Sequence, residues 1–137
     1  MNLMKKYVLI LLSILFVGCT DNDDTISPIV GQWKLTIIEQ NNIGGIGLNL
    51  DYSADNVIYN FGVNGVVSVS TDNAIHTAGT HTYLYEFNYL SGNPSPGESQ
   101  IYVVQINNTR WIYNLNANTM SLDNSYVDGP KMYFIRQ

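Results

Sequence analysis

From Val30 to the end of the chain, apolar side chains recur at every second residue. That is the period of a strand with one buried face, not the 3.6-residue period of a helix. Trp33, Leu35 and Ile37 alternate with Lys34 and Thr36, and Val57, Tyr59 and Phe61 continue the pattern around Asn60. Asn64-Gly65 suits a tight hairpin turn, with Val66 to Ser70 as the returning strand. His81 to Leu90 is the most regular stretch: Tyr83, Tyr85, Phe87 and Tyr89 face one way, and Thr82, Leu84, Glu86 and Asn88 the other. Ser91 to Ser99, with two prolines and two glycines, is a loop. Ile101 to Ile106 and Arg110 to Leu115 flank a turn at Asn107-Asn108. Thr119 to Asp123 follows Asn116-Ala117-Asn118, and Asp128-Gly129 leads into Lys131 to Arg136. The glycines of Asn41 to Gly47 end the first strand, and a short helix is expected between Ile46 and Ala54. About eight strands at short, regular spacing predict an all-β, antiparallel up-and-down barrel. Closing the sheet on itself leaves no exposed edge to aggregate.

The first residues follow a different rule. Lys5 and Lys6 precede an apolar run from Val8 to Val17 that only Ser13 interrupts, and Gly18-Cys19 ends it. A membrane-spanning helix needs roughly 20 apolar residues, so the run has the proportions of a signal peptide. Leu15-Phe16-Val17-Gly18-Cys19 resembles a bacterial lipobox. That resemblance implies cleavage after residue 18 and a lipid (diacylglycerol and palmitate-type acyl chains) on the Cys19 thiol. Cys19 is the chain's only cysteine, so no disulfide holds the fold and lipidation accounts for an otherwise reactive thiol. The chain then divides into a leader (1–18), a lipidated cysteine with an acidic, flexible tether (19–28) and one β domain (29–137). Asp21, Asp23 and Asp24 give the tether no apolar periodicity. An acidic run at that place resembles the signal that sends some lipoproteins to the outer face of the outer membrane. Asp24-Thr25-Ile26 resembles an O-glycosylation triplet of some of the same bacteria.

Removing the leader also changes the charge. Lys5 and Lys6 leave with it and no acidic residue does, so four cations face eleven acidic residues in the remainder. A nucleic-acid surface needs several clustered cations to displace counterions, and Lys34, Arg110, Lys131 and Arg136 are scattered, which excludes that class of partner.

Gly31-Gln32-Trp33 on the first strand looks like the Gly-x-Trp signature of lipocalins, and Arg136 supplies a basic residue on the last strand. The resemblance is to lipocalin-like lipoproteins of Gram-negative bacteria. It implies that Arg136 packs over Trp33 near the closed end of the barrel, that Gly31, Trp33 and Arg136 are structural, and that the barrel is a monomer. A cation over an indole ring is attracted by roughly 0.5–2 kcal/mol. The domain is shorter than most lipocalins and lacks their helix before the final strand, so a shallow pocket is expected.

Motifs of catalysis are missing from the sequence. No serine sits in a nucleophile elbow, and Glu39, Glu86 and Glu98 are not placed together by any pattern. Gly44-Gly45-Ile46-Gly47 lacks the lysine of a phosphate loop. Asp51 and Asp55 lack the ladder of a calcium loop. His76 and His81, near Asp72, read as a solvated pair and not as a metal site. No enzyme, metal or cofactor is expected. What remains is aromatic: 12% of the chain, including ten tyrosines. Tyr59, Phe61, Tyr83, Tyr85, Phe87, Trp111 and Tyr113 are the candidate ligand-binding residues. They are either plain core or the wall of a pocket for a small apolar or amphipathic ligand, apolar in body and polar at the tip. The alternative is an interaction module with a filled barrel, touching a glycan or an envelope protein through exposed tyrosines.

Overall fold

Nine strands, joined mostly by turns at residues that tolerate positive φ, make up the computed structural model, which describes residues 26–41 and 47–137. The leader, Cys19, Asp21 to Asp24 and the glycines Gly44-Gly45 lie outside the described residues. The strands are β1 (Gly31–Gln40), β2 (Leu48–Asp51), β3 (Ile58–Phe61), β4 (Val66–Val69), β5 (Gly79–Asn88), β6 (Ile101–Ile106), β7 (Thr109–Asn116), β8 (Thr119–Asp123) and β9 (Lys131–Arg136). From β3 onward each pairs antiparallel with the next, and β9 returns to β1, so eight strands close a barrel and β2 is an extra strand on β1. The expected up-and-down barrel is what forms. The turns behave as their residues dictate: Gly65 has φ 74°, Asn107 52° and Asp128 58°, all in the left-handed region. Ala117, also at 52°, takes the same conformation without the help of an amide side chain.

The structure corrects the first strand. β1 pairs with β9 along its length, but the register slips between Leu35 and Ile37, leaving Thr36 as an extra residue whose hydroxyl donates to the Tyr133 carbonyl (3.0 Å). This bulge flips the alternation: Trp33 and Leu35 point inward, then Ile38 instead of Ile37. It also marks where β1 changes partners on its other edge. Gly31 to Lys34 pair with β3, whereas Ile37 to Gln40 pair with β2. The segment expected to form a short helix is therefore β2 and a turn, drawn into the sheet by unpaired backbone on the upper half of β1. Between β8 and β9, where a lipocalin has its helix, the chain makes a 3-10 turn, Ser125–Val127.

Inward side chains fill the barrel. Trp33, Leu35, Ile38, Tyr59, Phe61, Val67, Val104, Ile106, Trp111, Met120, Leu122, Met132 and Phe134 are all buried in one cluster. Tyr59 packs edge-on against Phe134 (5.1 Å between centroids), and Phe61 edge-on against Tyr83 (5.0 Å). Two ends result. One carries the β3–β4 and β7–β8 turns, the β5–β6 loop and the segment Ile26 to Val30. The other carries the β4–β5 and β8–β9 connections and the β6–β7 turn.

Candidate functional site

Gly31, Trp33 and Arg136 meet at the end where the chain enters. The Arg136 guanidinium carbon lies 4.2 Å from the Trp33 ring centroid, and the two residues are register partners on β1 and β9. The guanidinium also donates to the carbonyls of Pro28 (2.5 Å) and Val30 (3.3 Å), while Trp33 Nε1 donates to Ile29 O (2.7 Å). Ser27 to Val30 is thus strapped across the barrel end, with Ile29 buried as a plug. The tether was expected to stay unpacked through Pro28; from Ser27 onward it is part of the domain, held by hydrogen bonds its own backbone carbonyls accept. Gly31 has φ 125°, and a Cβ there would stand 3.2 Å from Arg136 Nη1. Gly31→Ala is expected to cost about 1–3 kcal/mol through strain, checked by denaturant unfolding; an unchanged midpoint would show that the backbone relaxes freely.

The seven candidate wall residues separate into three groups. Tyr59, Phe61 and Trp111 are fully buried and belong to the packed core. Tyr83, Tyr85 and Tyr113 are inward at the entry end and border two open clefts that flank the strap. One, about 510 Å³, lies among Ile26, Val63, Tyr83 and Leu84; the other, about 380 Å³, among Pro28, Tyr85, Tyr102 and Tyr113. The Tyr113 hydroxyl is buried without a protein partner, and burial, its first cause, pushes its pKa up to about 12. Tyr83 instead donates to Gly62 O (2.6 Å). Phe87 is a correction: it shares the parity of Tyr85 but is 56% exposed, because β5 runs past the end of the core and its ring meets Tyr102 outside (5.0 Å).

At the opposite end the histidines are not a solvated pair. Asn73 Oδ1 accepts from the backbone N–H of Ile75 (3.0 Å) and His76 (3.1 Å), folding this loop over the barrel and burying His76. His76 Nδ1 is 2.9 Å from the Tyr59 hydroxyl, which also accepts from Asn73 Nδ2 (2.9 Å). Burial, reinforced by His81, pulls the His76 pKa down to about 4. The rings of His76 and His81 lie 5.4 Å apart, and His81 is engaged with Thr77 O and the Asn107 side chain. Among the described residues no three of His, Cys, Asp and Glu cluster as metal ligands. Each glutamate is engaged elsewhere: Glu39 accepts from Tyr133, Glu86 pairs with Arg110 (2.6 Å), and Glu98 accepts from Ser91.

One candidate site was missed by sequence reasoning. A groove of about 580 Å³ runs over the outer face of β7, β8, β9 and β1. Register aligns its side chains in two cross-strand rows, Asn114–Ser121–Tyr133–Ile37 and Asn116–Thr119–Ile135. Amides and hydroxyls thus line one side, and Ile37, Ile135 and the Tyr133 ring the other. The Tyr133 hydroxyl donates to Glu39 Oε2 (3.0 Å). The available signal was the alternation of the last strand, which turns Tyr133 and Ile135 outward if Met132 and Phe134 face in. The bulge that adds Ile37 to them had no such signal.

No family model matches the chain, and no solved structure does. Among curated proteins, hyalin of Strongylocentrotus purpuratus is similar: 31% identical over 99 residues, which are 72% of this chain. The chain spans only 8% of the length of hyalin.

Proposed function

We propose that this chain is an envelope lipoprotein of a Gram-negative bacterium, held in the outer membrane through Cys19 and displayed at the cell surface. Its lipocalin-like barrel acts there as an interaction module that binds a neutral glycan on its outer face. The observation that carries this reading is the occupied interior: Trp33, Tyr59, Phe61, Trp111 and Phe134 fill the space a calyx would need, and Ile29 plugs the entry end. Recognition then falls to the exterior. The outer groove has the chemistry for a sugar. Ile37, Ile135 and Tyr133 offer an apolar bed for C–H faces, and Asn114, Asn116, Thr119 and Ser121 offer paired donors and acceptors for hydroxyls. Its sole carboxylate, Glu39, is already bonded to Tyr133, which favours an uncharged ligand.

The test is calorimetric titration of the protein with neutral envelope polysaccharides. Asn114→Ala is expected to weaken binding about 2- to 10-fold, the effect of one hydrogen bond, and Tyr133→Ala at least as much. Equal binding by both variants and the parent would overturn the groove as the site. For the anchor, Cys19→Ser is expected to move the protein from the membrane fraction to the soluble one, and unchanged membrane association would refute it.

A second reading is favoured by the unpartnered Tyr113 hydroxyl in its 380 Å³ cleft. A small amphipathic molecule fits there, its polar group on the hydroxyl and its tail along Tyr85 and Tyr102. Saturable binding of a hydrophobic probe that Tyr113→Phe weakens would support it.

A further inference from the structure

The barrel is polar in a second sense, from end to end. Scattered exposed apolar side chains are ordinary, but a contiguous group is not. Val63 (80% exposed), Ile26, Leu84, Phe87, Tyr102 and Leu115 are exposed at the entry end, against Leu48, Tyr126 and Val127 at the other. Those at the entry end are continuous: one cleft joins Ile26, Val63 and Leu84, the other joins Tyr102 and Leu115, and Tyr85 borders both. Phe87 extends the patch across Tyr102, and Tyr102 stacks on Tyr85 (5.5 Å, 11° between planes).

Charge is arranged the other way. Among the turns of this end, residues 62–65, 89–100 and 116–118, and in the strap, the only ionisable acid is Glu98, whose carboxylate is held by Ser91. Arg136 is turned back onto Trp33, Pro28 and Val30. The opposite end carries Asp72 and Asp128 in its loops, with Glu39 and Asp123 at the adjoining strand termini.

We propose that the entry end of the barrel rests on the lipid surface to which Cys19 holds the chain, with Phe87, Tyr102, Val63 and Ile26 set into the headgroup region. This inference rests on the anchor reading. Cys19 stands seven residues before Ile26 in the sequence, and seven residues reach at most about 25 Å when fully extended. The end bearing Ile26 is therefore tethered nearest the bilayer, and a protein partner would have to fit beneath the barrel to cover it. Tyrosine and other aromatic rings settle at the membrane–water boundary, apolar body inward and hydroxyl in the headgroups. Within the folded domain one carboxylate, Glu98, stands among the turns of this end, and Asp72 and Asp128 stand in the loops of the other, so the end that meets the leaflet is the less acidic one. The groove of β7, β8, β9 and β1 shares Asn114 and Leu115 with the docked end, and its Ser121, Tyr133 and Ile37 lie farther from it.

The full, lipidated chain in vesicles of equal phosphatidylethanolamine and phosphatidylglycerol tests this. Val63→Cys, Phe87→Cys and, as the opposite-end control, Val127→Cys each carry a nitroxide, and relaxation by oxygen is compared with relaxation by a water-soluble nickel complex. All three positions are exposed, so the fold is expected to persist, with circular dichroism as the check. The expected result is an oxygen-to-nickel ratio at positions 63 and 87 several-fold above that at 127, unchanged in 1 M salt because the contact is apolar. Labels at 63 and 87 that match 127 while the protein stays with the vesicles overturn the docking alone. A chain that leaves the vesicles overturns the anchor and the docking with it. Spin–spin broadening at 63 or 87 assigns the patch to a second copy and overturns the lipid as its occupant.

Discussion

Replacing Trp33 by alanine is expected to remove about 3–5 kcal/mol of folding stability, read as a shift of the denaturant midpoint. The side chain is wholly buried between β3 and β9 and carries three loads at once. Its ring fills the entry end of the core. Its Nε1 fixes the strap through Ile29 O, and its face receives the Arg136 guanidinium. Without the ring, Arg136 stands over a void and Ile29 loses the hydrogen bond that seats it as a plug. Trp33→Phe separates these roles: most of the volume stays, but the Ile29 carbonyl loses its donor, at a cost of about 1–3 kcal/mol. Arg136→Ala removes the cation and its two hydrogen bonds to the strap, for about 2–4 kcal/mol. The two alanine variants combined should cost less than their separate effects added, by about 0.5–2 kcal/mol, since each deletes the same contact. Strict additivity would mean that the indole and the guanidinium are neighbours without being coupled. A Trp33→Ala midpoint within about 1 kcal/mol of the parent would remove Trp33 as the keystone of this end.

The barrel was legible because a period of two leaves few choices once each strand has a buried face. Tyr59 and Phe61, Val67 and Val69, Met132 and Phe134 each occupy the face their alternation assigns. Asn64-Gly65, Asn107-Asn108 and Asp128-Gly129 place three of the turns, because few other pairs accept the left-handed backbone. Chain order then favours neighbour pairing, and closure follows when β9 finds the free edge of β1.

What escaped is what depends on tertiary context. Leu35-Thr36-Ile37 reads as perfect alternation, so nothing local marks Thr36 as a bulge; the need to serve both β3 and β2 on one edge decides it. Leu48–Asp51 is short and mostly exposed, so it is a strand only because β1 offers it hydrogen bonds. Phe87 obeys the parity of β5, but parity does not say where the core ends. His76 lies in a polar loop whose composition suggests water. Two backbone N–H groups caught by Asn73 fold that loop inward instead. The outer groove combines both cases, a readable face on β9 joined to an unreadable one on β1.

That inward fold makes acid sensitivity the second large expected effect. His76 titrates at about 4 in the folded chain, against about 6.5 for a free imidazole. As pH falls through 6.5 the unfolded chain takes up a proton that the folded chain refuses, so the unfolded state is favoured progressively until about pH 4. Stability is complete above about pH 6.5 and declines below it, by about 2 kcal/mol after allowing for solvent screening at the rim of the loop. The chemistry of the refusal is local. Burial is the larger cause: the ring sits under the Asn73 loop against the Tyr59 hydroxyl, 2.9 Å from Nδ1, where a charged imidazolium would lose its water. His81 adds like-charge repulsion from 5.4 Å. Asp51, Asp123 and Glu98, whose pKa values are lowered by hydrogen bonds from Ser53, Ser125 and Ser91, add their losses at lower pH. The measurement is the unfolding free energy between pH 7 and pH 4. His76→Gln is expected to be nearly flat over that window, and His81→Gln to narrow it by relieving the repulsion on His76. A slope that survives His76→Gln unchanged would place the acid-sensitive group elsewhere.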